Sequence, residues 1–118
     1  MATYTRMSLI QRILFRLGVQ DPNEDVSPED FELVSEGVQQ KLEELYRKGY
    51  IPFDVDTDAI PARYFTALVG VLAVNFIDDF SAYDRTTTLA SAQQAGTQTL
   101  NEFVEEAQLE SPTQANYY

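Results

Sequence analysis

Apolar residues recur along this chain at steps of three and four, in four separate blocks. Met7, Ile10, Ile13, Leu14 and Leu17 form the first block. That spacing puts one apolar stripe on a helix. The Thr5 side chain can cap the free amides of the first turn, and Gly18 can adopt the left-handed conformation that ends a helix. The pattern predicts a helix over 6–17. The second block is Phe31, Val34, Val38, Leu42 and Leu45. Ser27-Pro28-Glu29-Asp30 precedes it. This run supplies a capping hydroxyl, a proline where its missing N–H does no harm, and acids at the positive end of the helix dipole. Lys41, Arg47 and Lys48 gather toward the other end, and Gly49 closes the element.

The third block is apolar around most of its circumference, from Tyr64 and Phe65 to Phe76 and Ile77. Such a helix is covered on several sides. β-Branched residues at 69, 71, 74 and 77 fit a strand as well, but the length without a breaker favours a helix over 61–79. The fourth block spans 86–106, carried by Leu89, Leu100, Phe103 and Val104. Its middle is small: Ala90, Ala92, Ala95 and Gly96. Small residues let two helix backbones approach closely. The connection over 50–60 holds Tyr50, Ile51, Pro52 and Phe53, which suit a short extended piece or packing against the bundle. Residues 111–118 carry no charge, so we expect them to be unfolded in a free monomer. The expected fold is all-α: a small four-helix bundle over 1–107 with an extended C-terminal tail over 108–118.

Composition narrows the function. The chain has 118 residues, the usual size of one domain. It has no Cys, His or Trp. Disulfides, thiolate metal sites and a Cys nucleophile are excluded, and the commonest general base is missing. The net charge of −11 comes from nineteen acids against eight basic residues. Gripping nucleic acid needs clustered Lys and Arg, so DNA binding through phosphates is disfavoured. The start of the chain lacks a basic region followed by an apolar run, as a signal peptide would have. The apolar stretch 65–77 is shorter than the roughly 20 residues a bilayer needs. The expectation is a soluble intracellular protein that does not engage a membrane.

Candidate chemistry is thin. Asp54, Asp56 and Asp58 alternate like the start of a calcium loop, but Ala59 and Phe65 stand where Gly and an acid are required. Asp21, Asn23, Asp25 and Glu32 hold the first, third, fifth and twelfth places of a second such loop, with Val26 in the glycine position. A turn followed by a capped helix explains those residues without a metal. The pairs Glu43–Glu44, Asp78–Asp79 and Glu105–Glu106 are helix neighbours, which point about 100° apart and cannot share one face. We expect no catalytic residues, no metal and no cofactor. The protein reads as a non-enzyme.

Leu14-Phe15-Arg16-Leu17-Gly18-Val19 closes the first helix, and Leu45-Tyr46-Arg47-Lys48-Gly49-Tyr50 closes the second. Ile60-Pro61 leads into the apolar helix with Ala67-Leu68 and Ala73, and an alanine-rich helix follows. This order over about 5–107 resembles the head-to-tail adaptor proteins of tailed bacteriophages, also called head completion or packaged-DNA stabilisation proteins. It is most like those of short-tailed phages, although this chain is shorter at its C-terminus. The resemblance implies a structural subunit of a ring, typically of about twelve copies, beneath the portal ring. Such a ring extends the DNA channel, retains packaged DNA and docks a tail or nozzle protein. It implies a place in the virion neck after synthesis in the host bacterial cytoplasm. The tail, with Pro112, Tyr117 and Tyr118, would hold the portal protein and become ordered on docking.

The ring implies contacts between neighbouring copies, expected at Tyr50, Ile51, Phe53, Val71 and Phe76. Acids facing the channel would repel passing DNA without binding it specifically, and Asp54, Asp56 and Asp58 or the stretch 21–36 are the candidates. An alternative is an acidic regulator that mimics DNA and blocks a nucleic-acid-binding host protein. It needs acids arrayed on one face, whereas here they gather at turns and helix starts.

Overall fold

Helix α1 (Arg6–Arg16) starts where Thr5 Oγ1 accepts the Ser8 amide at 3.0 Å. It ends at a left-handed glycine. Gly18 has φ +78°, its amide bonds the Phe15 carbonyl, and the Val19 amide bonds the Leu14 carbonyl. This double bond pattern satisfies carbonyls that the helix leaves open. Helix α2 (Pro28–Arg47) repeats the scheme. Ser27 Oγ accepts the Asp30 amide at 3.2 Å. At the far end Gly49 has φ +85°, and the Tyr50 amide bonds the Leu45 carbonyl. Both expected boundaries hold because each is made by local chemistry.

A computed structural model describes residues 2–19 and 25–110, with side chains through Leu109. Two short strands, β1 (Thr3–Tyr4) and β2 (Ile60–Pro61), pair antiparallel, with Thr3 opposite Pro61 and Tyr4 opposite Ile60. They bring the start of the chain alongside the end of the 50–60 connection. Helix α3 (Ala62–Ala73) follows directly. It stops earlier than the expected residue 79. The next turn tightens to a 3-10 turn at Val74–Phe76, where Asn75 Nδ2 bonds back to the carbonyls of Val71 and Leu72. A side-chain amide that competes for helix carbonyls favours such an end. A second 3-10 turn, Tyr83–Arg85, leads into α4 (Thr86–Glu110), which runs past the expected residue 106.

The fold is mostly helical, a small bundle of four helices with a long last helix. Helix α3 is its centre. All of its residues from Ala67 to Ala73 are buried. α1 contributes Leu9, Ile10, Ile13 and Leu14, and α2 contributes Val34, Val38, Leu42 and Leu45. One apolar position of α1 differs from expectation: Met7 faces outward and Leu9 is fully buried. The closest approach is between α3 and α4. A Cβ at Gly70 would lie 2.5 Å from the Ala92 carbonyl oxygen, and one at Gly96 would lie 2.6 Å from that of Ala67. The small middle of the fourth block therefore lets two backbones touch. Among the described residues, no helix is long and apolar enough to cross a membrane.

Candidate interaction surface

The 50–60 connection is built into the bundle by Arg6. Its guanidinium donates to the Val55 carbonyl at 2.6 Å and to Gln39 Oε1 at 2.8 Å. Asp58 Oδ1 accepts the Arg6 backbone amide at 2.8 Å, at the positive end of α1. Asp56 accepts from Gln39 Nε2 at 3.1 Å, and Asp54 Oδ1 accepts the Asp56 amide at 2.9 Å. The three aspartates are exposed, and each holds one hydrogen bond that shapes this connection. Their alternation has a structural use: a turn, a tie to α2 and a cap for α1.

The residues expected between neighbouring copies divide in two. Tyr50 and Phe53 are half-buried and pack on the core. Ile51, Val71 and Phe76 are 2%, 5% and 4% exposed, so the chain itself covers them and they offer no surface to a neighbour. This corrects the expectation. Phe76 lies over Gly37 of α2, where an added Cβ would come within 2.6 Å of its ring. Val71 Cγ2 meets Gly96 of α4, where an added Cβ would lie 3.1 Å away. Helix α3 looks too apolar for one chain only until it is seen to have helices on several sides. Pro112, Tyr117 and Tyr118 lie outside the described residues, as do Asp21 and Asn23.

Among the described residues, no three His, Cys, Asp or Glu side chains gather as a metal site would require. The acid pairs are engaged or apart. Glu44 bonds Lys41 at 2.9 Å and Lys48 at 3.4 Å. The Lys41 hydrogen bond is the main cause that holds its carboxyl below the ordinary range. Glu106 bonds Arg63 at 2.9 Å across α3 and α4. The charge of Asp78 raises the Tyr83 hydroxyl. Burial raises that of Tyr64, whose ring meets Phe53 and Phe103 edge-on. Arg63 stacks over Phe103 at 4.1 Å.

Two grooves flank α1. One lies against α3, holds about 590 Å³ and is lined by Tyr4, Arg12, Phe15, Arg16, Thr66 and Val69. The other lies against the start of α2 and holds about 600 Å³. Met7, Val26 and Phe31 line its apolar part, and Asp25, Glu32 and Glu36 its acidic part. Gln11 borders both. The charge contrast is present in the chain order: 2–20 holds three arginines and no acid, while 21–36 holds seven acids. This contrast is legible in the sequence, although the period of apolar residues along one helix does not carry it. No family model, curated protein or solved structure matches this chain.

Proposed function

We propose that this chain is a structural subunit of the head-to-tail connector of a tailed bacteriophage. It forms a ring under the portal protein, extends the DNA channel, retains packaged DNA and docks a downstream tail or nozzle protein. One observation carries the reading. The helical fold presents two grooves with apolar floors and opposite charge on the two flanks of α1. A ring subunit needs two different faces, one complementary to the other on its neighbour. The order of helix ends and apolar blocks, which resembles that of the adaptor proteins, adds the portal as partner. The acidic-regulator reading has less support, because Asp56 and Asp58 serve hydrogen bonds inside the fold and α1 interrupts the acidic surface with arginines.

Electron microscopy of the protein mixed with its portal ring tests the proposal. The expected result is an added ring of density beneath the portal, weakened when residues 111–118 are deleted. Portal particles that gain no density at any ratio refute it.

A further inference from the structure

We propose that the basic groove between α1 and α3 docks a second copy of this chain, which inserts the acidic outer edge of its α2. The contact rests on the ring reading above and names the surfaces that build the ring. Arg12 and Arg16 are exposed, and among the described residues neither has an ion-pair partner. They stand one helical turn apart. Tyr4 and Phe15, 44% and 43% exposed, line the same groove. A ligand there meets two guanidinium groups and two partly open rings. Its occupant needs two carboxylates at matching spacing beside an apolar side chain.

The chain carries that occupant itself. Glu32 and Glu36 are exposed on α2 and also stand one turn apart, with the exposed Leu33 beside them. Two Arg–Glu pairs can therefore form in one register, as planar guanidinium groups favour. Free nucleic acid suits the groove less well, because the whole chain carries a charge of −11. The two surfaces lie on different flanks of α1, so one copy cannot use the same patch twice. The contact is head-to-tail, and it closes into a ring when the rotation per copy allows.

The absence of cysteine makes the test direct. Thr66 borders the basic groove and Ser35 the acidic one. Full-length Thr66→Cys and Ser35→Cys chains are mixed with a short bis-maleimide, at high concentration and again with portal rings present. The expected result is a crosslinked dimer in the mixture, little in either variant alone, and a ladder of higher species from the double variant. Adding Arg12→Glu and Arg16→Glu to the Thr66→Cys chain should lower the yield about tenfold. Adding Glu32→Arg and Glu36→Arg to its Ser35→Cys partner should restore it.

Absence of the mixed dimer with and without portal overturns the proposal. So does a yield that ignores charge reversal, or one abolished by short duplex DNA. A portal that gains its ring while no crosslink forms sinks this contact and leaves the proposed function standing. Crosslinks without any portal binding do the opposite.

Discussion

Replacing Gly70 by alanine should destabilise the fold, although alanine is the better helix former. Alanine in a helix interior is worth about 1 kcal/mol over glycine. Against that stands a new Cβ placed 2.5 Å from the Ala92 carbonyl oxygen and 3.1 Å from its carbon. Favourable carbon contacts begin at about 3.5 Å. Overpacking costs about 1–3 kcal/mol, and the upper end applies where the obstacle cannot rotate away. Here the obstacle is backbone inside α4, so about 3 kcal/mol is the appropriate figure. The net loss is about 2 kcal/mol, a large share of the 5–15 kcal/mol typical of whole domains. For a chain of this size it lowers Tm by about 8 °C. Urea denaturation followed by far-UV circular dichroism measures it, with the slope expected to stay the same. Gly37→Ala is the comparison. Its Cβ would meet the Phe76 ring at 2.6 Å, a side chain and not helix backbone, so the loss should be smaller. A Gly70→Ala protein as stable as the parent would mean that α3 and α4 do not touch through their glycines.

Leu72 is fully buried in α3, so Leu72→Asp leaves a charge without a partner and should abolish soluble expression; normal yield would contradict the central position of this helix. Arg6→Met removes the bonds to Val55 and Gln39, should cost about 1–2 kcal/mol, and should speed amide exchange over 54–58. Unchanged exchange there would show that something else holds the connection. The lowered carboxyl of Glu44 stabilises the fold above the ordinary value of 4.5, and that contribution is lost as pH falls through its lower folded value. Lys41→Met should move its NMR titration midpoint back up, and a midpoint that stays put would remove Lys41 as the cause.

The parts of the fold that were legible in the sequence are those made by neighbours in the chain. Thr5, Ser27, Gly18 and Gly49 mark helix ends because capping bonds join residues only a few positions apart. The end of α3 was not legible in this way. Val74, Phe76 and Ile77 continue the apolar pattern, and only the folded chain shows Asn75 reaching back to Val71 and Leu72. The strand pair was legible only in part: the 50–60 connection suited a short extended piece or packing against the bundle, but the pairing of Ile60 with Tyr4 joins residues far apart in sequence. The grooves depend on which helices abut, which periodicity along one helix does not encode.

The burial of α3 changes where association has to occur. If Val71 on α3, Phe76 in the turn after it and Ile51 in the connection were open, the bundle would stick to itself through its most apolar residues. They are closed, so the large apolar side chains left at the surface decide the matter. Among the described residues eight such side chains are exposed: Tyr4, Met7, Phe15 and Val19 come from the first nineteen residues, Leu33 lies on the acidic edge of α2, and Tyr46, Tyr83 and Leu109 stand apart from one another in the sequence. These same nineteen residues hold three arginines and no acid in a chain of charge −11. Apolar exposure and reversed charge therefore coincide on α1 and the residues flanking it, which in a solitary protein would gain nothing from either. Partners held by such a surface combine modest apolar burial with ion pairs at its rim, so their assembly should be salt-sensitive, unlike a contact made through the body of α3.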